Sequence, residues 1–464
     1  MLFWESKPVA FCSEIEVWTL ALTSTSVARN EERINRFHWK IELFGGLYQL
    51  LASLDLGILS FALAQLVGIW GLTPFQIGVI AVVAAAGTLV GGVLFGHTAD
   101  SIGRRSTLQL SLLVTAIGTA LGAVSWDYIS LSVFQFIAGV GIGGVAPIVG
   151  AFVGEFAPAK HRGRLSSMLE LFWISGLLLA ALGSLFILPG FGWRIAFVFG
   201  ALPLIWVVVQ KRFVPESPRY LISRGRHDEA RQFLSRVKEN YGLSYDHLMV
   251  NEAVHERKGI LASLGELWSG PLMRRTATTW LLWFVLVYSY YGIFVWLPTL
   301  LATNGLGIMK SIEYMLVFTS VQLPAIAVTA FLVDMIGRKG VLVPALFLCG
   351  VSSYMFGKAG SPTDVLIWGS IVSLTNIVGW GVMLGYTAEL FPTRVRGTGV
   401  GAASAFGRLG QVFVPGVMAL LIGSWTSGYQ MVFMMFAAIL IVGGVGIAIL
   451  GEETKGRSLE DISG

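Results

Sequence analysis

Long apolar segments separated by short polar loops set the pattern of this 464-residue chain. A helix needs about 20 consecutive, largely apolar residues to cross the hydrocarbon core of a bilayer. Twelve segments approach that length, and a long polar stretch divides them into two sets of six, so the pattern predicts an all-α integral membrane protein. The predicted spans, numbered 1 to 12, are 41–67, 75–97, 105–125, 129–153, 165–188, 193–213, 276–300, 312–333, 340–358, 363–388, 399–423 and 428–450.

The polar segments divide the chain into five parts. We predict a cytoplasmic tail at 1–36, a bundle at 37–213, a linker at 214–275, a second bundle at 276–450 and a tail at 451–464. Apolar residues recur at helical spacing near 226–241 and 261–268, which predicts two short helices in the linker. The first tail lacks the basic start and long apolar run of a cleaved signal peptide, and we expect roughly its first 28 residues to be poorly ordered.

Composition and charge agree with this pattern. Apolar residues make up 55% of the chain and charged residues 13%, whereas a soluble domain carries roughly 25% charged residues. If both tails are cytoplasmic, the cytoplasmic side holds all of the 32 Lys and Arg except Arg194, Lys310, Lys358 and Arg408. This bias predicts that orientation. We expect the protein in the plasma membrane. We find no basic patch combined with a nucleic-acid-binding motif, so the sequence gives no indication of a nucleic-acid partner.

Two polar motifs recur in the second half at one interval, 234 residues, measured from Asp100 to Asp334 and from Glu155 to Glu389. The first motif has Asp100, Gly103, Arg104 and Arg105 before span 3, and Asp334, Gly337, Arg338 and Lys339 before span 9. The second has Glu155 and Arg162 after span 4, and Glu389 and Arg396 after span 10. An internal repeat in a membrane chain indicates a transporter whose halves rock about a central site.

These motifs also carry a family resemblance. The Asp-x-x-Gly-Arg-Arg loop resembles the signature loop of the major facilitator superfamily, and Glu155 to Gly163 with Pro215 to Arg219 resembles its sugar-porter branch. The resemblance implies the major facilitator fold, with twelve transmembrane helices in two pseudo-symmetric six-helix bundles. It also implies that these motifs latch the cytoplasmic side in the outward-facing state. We expect a monomer without a cofactor or metal.

The acids of the motifs suit a gate, whose contacts must be polar because they form and break in every cycle. Asp100 can pair with a base or sit at a helix N-terminus, where the dipole favours an anion. Anchoring by positive loops would explain the arginines but not the repeated acids. We therefore predict a cytoplasmic gate of Asp100, Gly103, Arg104, Arg105, Glu155, Arg162, Asp334, Gly337, Arg338, Glu389 and Arg396.

Three charges inside the spans have no charged counterpart in the other half. Asp55 lies in span 1 and Glu170 in span 5, but the residues 234 positions later are Ser289 and Ser404. The third charge is Arg408 in span 11. A charge near the bilayer midplane costs at least ~2.5–3.5 kcal/mol on insertion scales, so it has to face a cavity or a partner.

The neighbours of Arg408 favour a cavity over a structural ion pair, which stays the alternative. Ser404, Gln411 and Pro415 share its helix face and form one polar stripe. Of the many aromatic residues, Tyr290, Tyr291 and Trp173 are candidates for stacking on a flat substrate. Trp280 and Trp296 lie nearer the span ends, where interfacial anchoring is the default. The mid-membrane amide of Asn376 is either a further substrate contact or an interhelical hydrogen bond.

A narrower resemblance follows from the same region. Leu169 to Trp173, Tyr290 to Pro298 and Ala405 to Arg408 look like segments of bacterial nicotinate-type and aromatic-acid proton symporters, with the synaptic-vesicle-protein-like branch close by. The chain departs from that group at Ala52, where a second acid is common. The leading hypothesis is a proton-coupled symporter for a small organic anion. Arg408 would bind the carboxylate, and Asp55 or Glu170 the proton.

Three other functions compete with this hypothesis. A sugar facilitator is favoured by the Pro215 to Arg219 loop, although a sugar site has no need of a buried arginine. A non-transporting membrane protein on the same fold would lose the gate acids, and these are present. A membrane enzyme is the least favoured, because the sequence shows no nucleophile–base set, metal-ligand cluster or nucleotide loop. The glycine-rich stretch 139–144 lies inside span 4 and predicts close helix packing.

Overall fold

The computed structural model describes residues 34–158, 161–210, 213–243, 245, 260–301, 307–392, 395–424 and 428–455. The expected disorder of the first tail therefore lies outside the described residues, apart from its last three positions. The side chains of two gate residues, Asp100 and Arg162, also lie outside them.

The first half consists of long helices joined by short loops. Its helices are Arg36–Trp70, Pro74–Ile102, Arg104–Gly122, Tyr128–Phe156, Arg162–Gly200 and Pro203–Val209. Span 5 and span 6 share the helix Arg162–Gly200, which is interrupted at Gly192 with φ 75° and ψ 178°. A β-carbon on Gly183 would touch the ring of Phe199, so the chain folds back at Gly192 and the two parts form a hairpin.

The second half follows the same plan, with two interrupted spans. Its helices are Gly270–Tyr290, Trp296–Leu301, Ile308–Ser320, Gln322–Ile336, Arg338–Gly357, Pro362–Leu390, Arg396–Ser424 and Gly428–Leu450. A π-helical turn, Tyr291–Val295, joins the two parts of span 7. Between the halves, the structure has helices at His227–Tyr241 and Ile260–Leu267, close to where the sequence predicts them.

Within the described ranges, 10 helical segments are long and apolar enough to cross a membrane. One of them, Met168–Val209, contains the hairpin of spans 5 and 6. Span 3, Arg104–Gly122, is absent from the 10 because its Arg, Gln, Ser and Thr residues lower its mean hydropathy. Its buried hydroxyls bond to backbone carbonyls, as Thr115 does with Ser111 at 3.1 Å. Twelve spans in two six-helix bundles result, which confirms the predicted fold.

The two halves pack against each other mainly through span 2 against span 11 and span 5 against span 8. We call the end with Arg104, Arg105, Arg338 and Lys339 the basic end, and the other the opposite end. Toward the opposite end, a β-carbon on Gly78 of span 2 would meet Ala419 and Pro415 of span 11. The Ser60 hydroxyl of span 1 donates a hydrogen bond to the Val295 carbonyl in the π-turn of span 7.

Candidate functional site

A central cavity lies between the halves, with lining residues from spans 1, 2, 4, 7 and 11. Its polar lining residues are Asp55, Ser60, Thr88, Gln135, Tyr291, Trp296 and Gln411, and most of the others are aliphatic. A second, more apolar cavity adjoins it and is lined by Leu177, Tyr290, Phe294 and Met315 among others. Both cavities include Ser60 and Val295, so the hydrogen bond between these residues stands where the two cavities meet.

Asp55 is the acid of the central cavity, and it is 1% exposed. The Thr119 hydroxyl lies within hydrogen-bond distance of the Asp55 carboxylate and also 2.9 Å from the Thr115 carbonyl. A threonine hydroxyl has one proton to donate. If Thr119 donates it to Thr115, only a protonated Asp55 can complete the second hydrogen bond. Within the described part of the chain, no cation pairs with Asp55.

Arg408 lies in the middle of the helix Arg396–Ser424 and is partly exposed inside the protein. Its Nε lies 3.9 Å from the position that a β-carbon on Gly92 of span 2 would occupy. None of the described carboxylates forms an ion pair with it. No described residue accepts a hydrogen bond from its guanidinium, and the structural ion pair that the sequence left open does not form within the described part of the chain.

The aromatic candidates cluster between Arg408 and Glu170. Tyr291 lies close enough to both charged groups for each to act on its hydroxyl. Trp173 lies beside the Tyr290 hydroxyl, which is also within the electrostatic range of Glu170. Glu170 and Trp173 of span 5 are partly exposed, and their neighbours Tyr290 and Tyr291 belong to the other half. Four predicted site residues therefore lie near one another, and Tyr291 connects them to Arg408. Arg408, Glu170 and Trp173 line neither cavity in this conformation.

Asn376 lies apart from this cluster, within the second bundle. It is 1% exposed, and its Nδ2 donates to the Ser289 hydroxyl at 2.9 Å. Ser289 occupies the position in the repeat that Asp55 has in the first half. Asn376 lines neither cavity in this conformation. Its predicted contact with substrate stays a prediction, whereas the interhelical hydrogen bond is present.

Sequence reasoning missed three buried polar residues. Gln135 of span 4 and Trp296 of span 7 line the central cavity. Among the described residues, neither the Nε2 of Gln135 nor the indole N–H of Trp296 has an acceptor. Trp296 is 2% exposed, so it is not the interfacial anchor that its position near a span end suggested. Glu42 is 1% exposed with both carboxylate oxygens unpartnered, but it lines neither cavity.

At the basic end, the first half has a compact ionic network. Arg104 Nε lies 3.0 Å from Glu155 Oε1, and the Ser217 hydroxyl donates to the same carboxylate. The backbone N–H of Arg105 donates to Glu216 Oε1 at 3.1 Å, so this carboxylate sits at the N-terminus of span 3. Gly103 has φ 95°, and a β-carbon there would collide with Glu216.

The second half repeats this network. Arg338 Nη2 lies 2.7 Å from Glu389 Oε1, and the Thr454 hydroxyl donates to Glu389 Oε2 at 2.6 Å. Glu453 accepts the backbone N–H groups of Arg338 and Lys339, each at 3.0 Å. Burial alone would raise the pKa of Glu453, but hydrogen bonds from backbone N–H groups outweigh it and lower the pKa below its ordinary value. Gly337 has a positive φ of 88°, close to the 95° of its counterpart Gly103 in the first half.

Two further gate candidates behave differently. Asp334 is exposed, and no described residue forms an ion pair or a hydrogen bond with it. The Arg396 side chain donates from Nε to the Phe391 carbonyl at 3.2 Å. The basic-end ion pairs of Arg104, Arg275 and Arg338 each join two residues of the same half. A gating role for these residues stays a prediction.

The Ser60–Val295 hydrogen bond gives the opposite end a testable contact. Ser60→Ala removes one neutral hydrogen bond across the halves, worth about 0.5–1.5 kcal/mol, so closure of that end should fall roughly 2- to 12-fold. Spin labels at Trp126 and Lys358, in loops of the two halves, should report a larger population at long distance. Ser53→Ala is the control, because the Ser53 hydroxyl bonds to its own helix at Leu50. An unchanged distance distribution would exclude a role for Ser60 in closure.

The profile of the sugar (and other) transporter family matches residues 16–464. The chain belongs to this family. A niacin transporter of Acinetobacter baylyi is 40% identical over 429 residues, covering 92% of this chain and 97% of that protein. A putative niacin/nicotinamide transporter of Bacillus subtilis is 34% identical over 418 residues, covering 89% and 96%. The chain is thus a multi-pass membrane transporter and not an enzyme.

A solved structure has the same fold. The xylose transporter from E. coli, in a partially occluded inward-open conformation, superposes with a TM-score of 0.74. It is 18% identical and covers 91% of this chain and 100% of its own. At this identity the likeness concerns the fold alone, and it agrees with the two six-helix bundles described above.

Proposed function

We propose that this transporter is a proton-coupled symporter for a small organic anion, an aromatic monocarboxylate of the nicotinate type. The observation that carries the proposal is Arg408, a guanidinium inside the membrane with no carboxylate partner among the described residues. A carboxylate binds a guanidinium through two charge-assisted hydrogen bonds, which are about twice as strong as neutral ones. The two relatives that carry niacin in their names agree with this substrate class.

The aromatic residues near Glu170 and Arg408 support an aromatic substrate. Tyr291 lines the central cavity, and Trp173 is partly exposed close to Tyr290. Ring pairs add about 0.5–1.5 kcal/mol beyond the apolar area that they bury. Asp55 supports proton coupling, because its hydrogen bonds can accommodate either protonation state. We place the protein in the plasma membrane as a monomer with both tails cytoplasmic, so that the basic end faces the cytoplasm.

A sugar or another neutral metabolite is the second candidate. The amides of Gln135 and Gln411 and the indole of Trp296 line the central cavity, and neutral hydroxylated substrates are bound by such groups. A neutral substrate would give the Arg408 guanidinium no anionic partner, so we rank this alternative second.

Counterflow in proteoliposomes separates the two candidates. Vesicles loaded with unlabelled nicotinate should accumulate labelled nicotinate transiently, because exchange needs only the binding site and the conformational change. Vesicles loaded with xylose or glucose should not do so with the corresponding labelled sugar. Empty liposomes and vesicles preloaded with an unrelated amine serve as controls. Counterflow of a sugar without counterflow of any aromatic acid would reverse the assignment.

A further inference from the structure

The amide of Gln411 lies one helical turn from Arg408 on the same face of span 11. The two residues are three positions apart, which corresponds to about 4.5 Å along the helix axis. Gln411 lines the central cavity and is 5% exposed. Its Oε1 is buried without a partner, so Nε2 is the amide atom that reaches the cavity surface. No described residue accepts a hydrogen bond from this Nε2.

An unpartnered donor at this distance from the guanidinium suits a particular ligand. When Arg408 holds the carboxylate of an aromatic acid, the ring extends along the helix toward Gln411. A ring nitrogen in a pyridine carboxylate accepts a hydrogen bond at about the same separation from its carboxylate. A benzene ring has only C–H groups there and would leave the amide unpaired. Tyr291 lines the same cavity and can contact the face of either ring.

We propose that Gln411 selects heteroaromatic over homoaromatic monocarboxylates, by donating from Nε2 to a ring nitrogen while Arg408 binds the carboxylate. The inference rests on the proposed function and adds to it the residue that discriminates between substrates. A site that hydrogen-bonds its substrate rejects an analogue without the partner, because its own buried polar group is then left unpaired. Shape offers no comparable discrimination, since pyridine and benzene rings are nearly the same size.

The test compares pyridine-3-carboxylate with benzoate, both labelled, in proteoliposomes. The native protein should prefer the pyridine acid by about tenfold in kcat/KM. Gln411→Leu should bring this ratio close to one by slowing uptake of the pyridine acid, with benzoate uptake retained. The control is Gln210→Leu, because Gln210 is also fully buried, both of its amide atoms are unpartnered, and it lines neither cavity. This control should keep the native ratio.

Three results would overturn the inference. The first is a native protein that carries both acids equally well, and the second is a Gln411→Leu variant that keeps the native ratio. If the Gln411→Leu variant carries neither acid, the preference is measured instead with Gln411→Met and by equilibrium binding of both acids in detergent. The third contradicting result is a binding preference for the pyridine acid that these variants leave unchanged. A native protein that carries neither acid refutes the proposed function itself, which is a different result from an unchanged ratio.

Discussion

Replacing Arg408 with glutamine should reduce uptake of an aromatic monocarboxylate by roughly 30- to 5,000-fold. Losing one partner of a buried, hydrogen-bonded charge pair costs about 2–5 kcal/mol, and each 1.4 kcal/mol is a tenfold change in affinity. The substrate carboxylate would have to enter the space between Tyr291 and Glu170 without a compensating cation. Arg408→Lys keeps the charge but loses the planar fork, so it should also weaken binding severely.

Arg231→Gln provides the control for this experiment. Arg231 is exposed on the helix His227–Tyr241, so its loss should leave uptake at the native level. Amounts of each variant in the vesicle membrane must be matched before rates are compared. If Arg408→Gln still takes up the acid with native affinity, Arg408 is a structural residue. If it instead keeps native uptake of a sugar, the neutral-substrate hypothesis replaces the one proposed here.

Much of the fold could be predicted because each span has to be apolar over its own length. The repeat at 234 residues also marked Glu155 and Glu389 as equivalent positions. In the structure each binds the arginine of the first motif in its own half, Arg104 or Arg338, which the sequence did not predict. A third pair of equivalent residues in the two halves was missed. Glu216 and Glu453 do the same work at the N-termini of spans 3 and 9, but they are 237 residues apart. A search at one fixed interval cannot find a pair that an insertion has displaced.

The candidate site was predicted less completely than the fold, for geometric reasons. The π-turn at Tyr291–Val295 adds a residue to one turn of span 7, which rotates the following residues by about 100° relative to a regular helix. Trp296 therefore points into the central cavity, although its place near a span end is typical of an interfacial anchor. Ser60 and Val295 meet across the halves, and the sequence pattern holds no information on a side chain that bonds to a backbone carbonyl in the other half.

Exchanging Asp55 for asparagine should abolish accumulation driven by a pH gradient while exchange of labelled substrate continues. The physical reason is the pair of hydrogen bonds at Thr119. When Asp55 is protonated, it can donate to the Thr119 hydroxyl, which then donates to the Thr115 carbonyl. When Asp55 is ionised, Thr119 can turn its proton to the carboxylate. Asparagine is neutral, like the protonated carboxylic acid, and has no proton to release. The variant should therefore behave as if Asp55 were always protonated.

The experiment measures uptake of labelled nicotinate into proteoliposomes with and without an inside-alkaline gradient, beside counterflow at equal pH. Asp55→Asn should show counterflow near the native rate and no response to the gradient. Asp127→Asn is the matched control, because Asp127 caps the exposed start of span 4, where asparagine serves as well as aspartate. If Asp55→Asn still accumulates substrate at the native level, the proton is carried elsewhere. Glu170→Gln would then be tested in the same way, since Glu170 is the other acid in the space between the halves and lies within the electrostatic range of Tyr291.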